Sequence, residues 1–477
     1  MVEQRRINVG RRKGFFGFRN MKQRNEACNG YCSCYRYLKW CLWVSLGLYL
    51  FSSYLLGSSS SGAAKLTSLH KTTFATPSSS FLSRAIIESE PPPFDHGTVA
   101  AEEEEEEEEE EEVAVPASMR DLKVYVYDLP AAYNEDWAAD PRCGNHLFAA
   151  EVAIHRALLG SRRFRTLDPW EADFFFVPVY VSCNFSAANG FPAIGHARAL
   201  LASAVRLISA DLPFWNRSRG ADHVFAATHD FGACFHTLED VAIADGIPSF
   251  LKNSIILQTF GVESAHPCQD VENVVIPPYV SPASVRRTLD RAPRCAERDI
   301  WVFFRGKMEV HPKNISGRFY SKCVRTEIWR RYGRREGFYI KRKRYAGYQT
   351  EIARSVFCLC PLGWAPWSPR LVEAVALGCV PVIVADGIRL PFPASVPWPE
   401  ISLRVPERDV QRLDRILRRV AETNLTLIQR NLRRPSVRRA LLFSPGDVVP
   451  GDATWHVLEA LAAAKPRRSR RSGEATA

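Results

Sequence analysis

Between Phe357 and Asp386 the chain reads FCLCPLGWAPWSPRLVEAVALGCVPVIVAD, and its residue types follow the order that a phosphate-binding turn needs. Phe357 to Cys360 is a strand-forming apolar run. Ser368 is a good helix N-cap, Pro369 suits the first helical position, and Gly378 closes the helix. Val380 to Val384 is a second strand. In such a β-α-β unit, ligands bind beyond the carboxyl ends of the strands, where a helix N-terminus favours a diphosphate. Gly363 allows close backbone approach, and Trp364 or Trp367 can stack on a base or sugar. Arg370, in the first turn, can pair with phosphate oxygens. Glu373, one turn further on, can accept hydrogen bonds from both ribose hydroxyls of a nucleotide. The competing reading is a structural β-α-β unit with a solvated Arg and Glu.

The surrounding elements supply the frame. Short apolar strands are expected at Leu122 to Tyr127, Ala172 to Val179, His223 to Ala227, Ser254 to Gln258 and Val274 to Pro277. Helices fall between them, near residues 146–159 and 195–210. The pattern restarts with strands at Ile300 to Phe304, Val356 to Cys360 and Val380 to Val384. Helices are expected at Tyr320 to Arg331, Ser368 to Leu377 and Arg408 to Leu432. Alternating strands and helices imply an α/β protein with parallel sheets. Two successive halves, 119–285 and 286–432, fit two facing Rossmann-like domains with ligands in the cleft between them. Residues 433–477 read as a basic C-terminal tail. A single larger sheet is the alternative.

Charge and compartment narrow the partners. The 477 residues carry a formal charge of +11, and +22 when the eleven glutamates of Glu102–Glu112 are set aside. That balance favours anionic partners. The run 40–56 (WCLWVSLGLYLFSSYLL) has no charged residue and is just long enough to span a membrane. A strongly basic segment, 1–39, precedes it, so the positive-inside rule puts the remainder in the lumen. This predicts a single-pass type II protein with a signal-anchor; a cleaved signal peptide is the competing reading. Short spans favour the Golgi or ER over the plasma membrane. Residues 57–118, rich in Ser and then Glu, read as a disordered stem. Asn184, Asn216, Asn314 and Asn424 open glycosylation sequons. Nine of the thirteen cysteines follow the anchor, and an odd number leaves at least one unpaired within the chain. No nucleic-acid-binding module is visible, so nucleic acid is not an expected partner.

The segment from Phe357 to Ile383 resembles the donor-site signature of the exostosin-like glycosyltransferases: F-C-L-x-P-x-G, then S-x-R-L-x-E-A, then G-C-x-P-V-I. Phe303-Phe304-Arg305-Gly306, Val124 to Pro130 and His229-Asp230-Phe231-Gly232 also resemble family elements. Phe231 stands where the family commonly has Trp. The resemblance covers residues 121–405. It implies a GT-B fold, a nucleoside-diphosphate sugar donor and inversion at the anomeric carbon. Gly363, Ser368 and Arg370 then line the donor site, Glu373 binds the ribose, and Arg305 and Arg370 neutralise the diphosphate. Asp140 to Cys143, Arg305 to Lys313 and Gly363 to Ser368 are most similar to the plant branch that acts in glucuronoxylan synthesis of secondary walls. That branch implies a UDP-glucuronate donor, whose carboxylate Arg305, Lys307 or Lys313 would meet, and a xylan-type acceptor. Xylosyl transfer to a xylan primer is the alternative.

Two chemical expectations follow. An inverting transfer needs a general base for the acceptor hydroxyl, supplied from the N-terminal half. His229 and Asp230, beyond a strand end, are the first candidates, ahead of Asp128 and His146. The sequence contains no Asp-x-Asp, the usual anchor for a diphosphate-bound cation. Arginines and a helix N-terminus are expected to take that role, with no metal or other cofactor. A different class of function also fits: a non-catalytic subunit of a Golgi polysaccharide-synthesising complex, with other Golgi glycosyltransferases as partners.

Overall fold

A computed structural model describes residues 115–474, apart from 189, 271, 293–297 and 309–319. The expected span at 40–56, the basic segment before it, almost all of the stem, Lys313 and Asn314 lie outside the described residues. Among the described residues, no helix is long and apolar enough to cross a membrane.

Among the described residues, eleven strands form two parallel sheets. The first contains β1 (Val124–Val126), β2 (Arg165–Thr166), β3 (Phe174–Phe176), β4 (His223–Ala227), β5 (Ile255–Gln258) and β6 (Val274–Val275), ordered β2-β1-β3-β4-β5-β6. The second contains β7 (Ile300–Arg305), β8 (Phe338–Lys341), β9 (Ser355–Pro361), β10 (Val380–Val384) and β11 (Leu403–Arg404), ordered β11-β10-β9-β7-β8. Every strand pairing within the two sheets is parallel. Helices must then carry the crossovers, and both faces of each sheet are covered. This explains why the central strands are uninterrupted apolar runs. All three residues of β3, and all five of both β4 and β10, are buried. The architecture is GT-B-like: two parallel-sheet α/β halves in one chain.

The carboxyl ends of the two sheets meet. Val262, beyond β5, forms an antiparallel bridge with Ile388, beyond β10. The Glu263 N–H donates to the Gly387 carbonyl (2.8 Å), and the Arg389 N–H to that of Gly261 (3.0 Å). The loops that follow the strands are therefore held against each other, and groups from both halves share one cleft.

The sequence reading of residues 433–477 as a tail is corrected. The helix Ala453–Glu474 returns to the first sheet. Val457, Leu458 and Leu461 line an apolar pocket with Val124, Ile154, Leu158 and Phe176. Trp455 meets the Phe164 ring edge-on at 5.8 Å. The spacing 454, 457, 458, 461 is one helical face, which covers a sheet surface that would otherwise be open to water.

Three disulfides join pairs of described residues and brace the frame: Cys143–Cys183, Cys234–Cys268 and Cys358–Cys379. Cys323 is also disulfide-bonded. Cys360, buried in β9, is the free thiol among the described cysteines. Of the sequons, Asn216 and Asn424 are exposed, and Asn184 is half-buried.

Candidate active site

The donor β-α-β unit folds as its sequence predicts. β9 runs into the loop Leu362–Trp367, the helix Pro369–Ala376 starts after Ser368, and β10 follows Gly378 and Cys379. Ser368 occupies the N-cap position, but its side chain makes no capping hydrogen bond. It leaves the helix's first N–H groups without a side-chain cap at the mouth of the loop.

Arg370 is 5% exposed. Its guanidinium lies 4.5 Å from the centre of the Phe304 ring. It donates to the carbonyls of Arg305 and Leu359, at the ends of β7 and β9, and its Nε has no partner. A second arginine lies beside it. Arg325, from the helix Val324–Tyr332, donates from Nε to the Leu362 carbonyl (2.8 Å) and from a terminal nitrogen to that of Pro361 (3.0 Å). Its guanidinium is 5.4 Å from the same Phe304 ring and 4.9 Å from Tyr320. Neither arginine forms an ion pair with a described residue. Burial, reinforced by the neighbouring Arg370, pushes Arg325 down to about 10. Gly306 fits between them: a Cβ there would lie 3.1 Å from Arg370 and 3.4 Å from Arg325. Two buried cations that form no ion pair, held by carbonyl dipoles and the Phe304 ring with Glu373 acting on Arg370 from nearby, make an anion pocket, since removing charge from water is costly without a close counter-charge.

Arg305 is placed differently from the sequence expectation. Side chains alternate across β7, and Phe304 takes the face toward Arg370. The Arg305 guanidinium instead forms a two-pronged ion pair with Glu351, at 2.6 Å and 2.5 Å. It also donates to the Lys343 carbonyl at 2.6 Å. Its charge is already matched, and its backbone carbonyl, not its side chain, reaches Arg370. Arg325, which the sequence reading passed over, supplies the second cation.

Glu373 is buried beside this pocket. It accepts from the Tyr348 hydroxyl (2.7 Å) and from Gln349 Nε2 (3.3 Å). Burial raises its carboxyl above the usual range, while Tyr348 and Arg370 pull it back. Gly363 faces the Tyr320 hydroxyl and Arg325. Trp364 packs edge-on against Tyr320 at 5.0 Å, and Lys307 lies 4.9 Å and 5.5 Å from the Tyr320 and Trp364 rings. Trp367 turns the other way and meets Phe148 of the first half at 5.8 Å.

The first half contributes His229 and Asp230, just beyond β4. Their turn is fixed by Gln258, whose Oε1 accepts from the Ala233 N–H (3.0 Å). Gly232 needs its glycine: φ is 47°, and a Cβ would meet Gln258 Oε1 at 2.7 Å. Asp230 is pushed up to about 6 by burial, against the pull of Lys307 from the second half. His229 stacks on Phe148 at 4.5 Å, and burial and His146 push its imidazole down to about 4. The structure therefore brings Asp230, His229 and His146 to the cleft opposite the donor loop. Asp128 is exposed at the end of β1. Among the described residues, no three His, Cys, Asp or Glu side chains are grouped to hold a metal ion.

Two facing parallel-sheet halves, a β-α-β unit with an arginine-lined anion pocket, and a carboxylate across the cleft define a GT-B-like glycosyltransferase. The Exostosin GT47 domain matches residues 118–420, and the chain belongs to that family of glycosyltransferases. It is 60% identical over 450 residues to the probable glucuronoxylan glucuronosyltransferase IRX7 of Arabidopsis thaliana, covering 92% of this chain and 96% of that one. It is 59% identical to a second probable glucuronoxylan glucuronosyltransferase of the same plant, covering 89% and 86% of the two chains. The probable beta-1,4-xylosyltransferase IRX10L, also of Arabidopsis thaliana, is 44% identical and covers 72% and 82%.

Proposed function

We propose that this transferase moves glucuronate from UDP-glucuronate to a xylan-type polysaccharide, with inversion, in glucuronoxylan synthesis. The observation that carries the donor reading is the pair of buried arginines, Arg325 and Arg370, that form no ion pair with a described residue, next to the N-terminus of the helix Pro369–Ala376. A diphosphate is a counter-charge that this pair can take directly. Glu373 takes the ribose hydroxyls, its orientation fixed by Tyr348 and Gln349. Asp230 receives the proton of the attacking acceptor hydroxyl as the new glycosidic bond forms and the bond to UDP breaks. UDP leaves carrying negative charge, which the arginines and the dipole at the helix N-terminus stabilise without a divalent cation. Asp230 suits the base role better than His229, because a base works best with a pKa near the working pH.

The sugar is assigned from the relatives' names and from charge. Lys307, at the rings of Tyr320 and Trp364, is the cation best placed for a uronate carboxylate. The xylosyl alternative is supported by the 44% identity to a probable xylosyltransferase. The Golgi location, the type II anchor at 40–56 and the stem belong to this proposal and rest on the sequence pattern. So do glycosylation at Asn184, Asn216, Asn314 and Asn424 and assembly with other Golgi glycosyltransferases. The test is a donor screen: the lumenal part, from residue 119, is given a panel of UDP-sugars with xylo-oligosaccharides, and products are read by mass and linkage. Glucuronate addition is expected. Transfer of xylose alone would replace the donor assignment. UDP binding without any transfer would favour the non-catalytic subunit.

A further inference from the structure

Three buried nitrogens in the cleft have no hydrogen-bond partner: His146 Nε2, His229 Nδ1 and Trp367 Nε1. They gather around one aromatic ring. Phe148 stacks on His229 at 4.5 Å with 23° between planes, meets Trp367 edge-on at 5.8 Å, and lies 6.0 Å from His146. Buried polar groups are nearly always paired, so three orphans in one seam call for an explanation. The Phe148 N–H approaches His146 Nδ1 at 3.4 Å, and the same ring is held at the Cys143 backbone, which leaves Nε2 as the unpaired edge. The Trp367 indole is an N–H donor, and the His146 and His229 nitrogens donate or accept according to tautomer.

We infer that this seam is a subsite for an uncharged sugar residue of the acceptor. Trp367 Nε1 donates to one of its hydroxyl oxygens, and His146 Nε2 and His229 Nδ1 each pair with a further hydroxyl. Phe148 is the apolar floor for the ring's C–H face. Sugar hydroxyls both donate and accept, so one ring satisfies all three nitrogens. The nitrogens are out of reach of water in this structure, so the ring enters as the Phe148–Trp367 contact parts. Charge argues against a uronate in the same place. Burial pushes His146 and His229 down to about 4, so neither carries a positive charge at neutral pH. Asp230, next in the chain, repels a carboxylate. Glucuronate thus belongs to the donor side of the cleft and a neutral backbone sugar to this side.

The inference rests on the cleft being the transfer site, and its test separates the two claims. Binding of xylohexaose, of hexagalacturonate as a charged counterpart, and of UDP is measured by calorimetry on the wild type, His146→Phe and Trp367→Phe. The wild type should bind xylohexaose at least about tenfold more tightly than hexagalacturonate. Each variant should lose about tenfold in xylohexaose affinity and keep wild-type UDP affinity, which also reports an intact fold. In turnover, His146→Phe should raise the acceptor KM with little change in kcat; a base would lose kcat instead. Unchanged xylohexaose binding in both variants would overturn the subsite. UDP binding without xylohexaose binding in the wild type would overturn it and leave the donor reading standing. Xylohexaose binding that is lost in the variants, without UDP binding, would support the subsite and remove the donor reading.

Discussion

Asp230→Asn keeps the size of the side chain and removes its capacity to take a proton. Burial lifts Asp230 to about 6, and Lys307 restrains that rise. A base with that value is about 90% ionised at pH 7 and about 10% at pH 5, by the ordinary titration relation. The wild-type kcat/KM should therefore rise roughly tenfold between those pH values and level off above pH 7. A positioned general base contributes about 10²–10⁴-fold to the rate, so Asp230→Asn should lose that much and lose the pH 6 limb with it. The Lys307 contribution adds a second handle. Lys307→Met removes the cation that holds Asp230 down, so the limb should move to higher pH. The assay is UDP release with a xylo-oligosaccharide acceptor from pH 4.5 to 8, with UDP-induced thermal stabilisation as the check on folding. An Asp230→Asn protein that binds UDP normally and keeps more than about a third of its turnover would refute this assignment.

Further outcomes follow from other groups. Glu151 is buried, accepts from the Val181 and Ser182 N–H groups, and is pushed up to about 8 by burial. The folded state holds a proton that the unfolded state has lost between about pH 4.5 and 8, so stability should fall across that window by up to about 1.4 kcal/mol per pH unit. Glu151→Gln should flatten that fall in thermal melts; an unchanged slope would contradict it. Gly232→Ala should cost about 1–3 kcal/mol of stability, because its positive φ and the nearby Gln258 Oε1 both exclude a Cβ. A denaturant midpoint equal to the wild type would contradict that. Treatment with EDTA should leave activity intact; a loss restored by manganese would show that the arginine pocket alone does not carry the leaving group.

The donor unit was legible because its signals are local. A strand-length apolar run, a Ser-Pro helix start and a Gly stop occur within thirty residues, and the structure follows them almost residue for residue. Arg325 was not legible in the same way, since it lies among many exposed cations between Tyr320 and Arg344. One signal was available: no carboxylate stands three or four residues away, whereas Arg331 has Glu327 as its partner. The direction of the Arg305 side chain was not legible, because a motif gives position in the chain but not which face of β7 the side chain takes. That depends on Glu351, forty-six residues later. The C-terminal helix was hidden by the basic run after Ala464, though the apolar face at 454, 457, 458 and 461 was present in the sequence. The seam of His146, Phe148, His229 and Trp367 joins separate segments of the chain, so only the tertiary structure shows it.

The central claim is that Arg325 and Arg370 form the pocket for the diphosphate of a nucleotide sugar. It is tested most directly by titrating UDP and uridine into the wild type and Arg370→Met, using calorimetry at two salt concentrations. The wild type should bind UDP far more tightly than uridine, with affinity falling as salt rises. Arg370→Met should lose about ten- to a hundredfold for UDP, the loss expected for one charge-assisted contact of about 1.5–3 kcal/mol, while uridine binding stays the same. Equal UDP affinity in the two proteins, or equal loss for UDP and uridine, would contradict the claim.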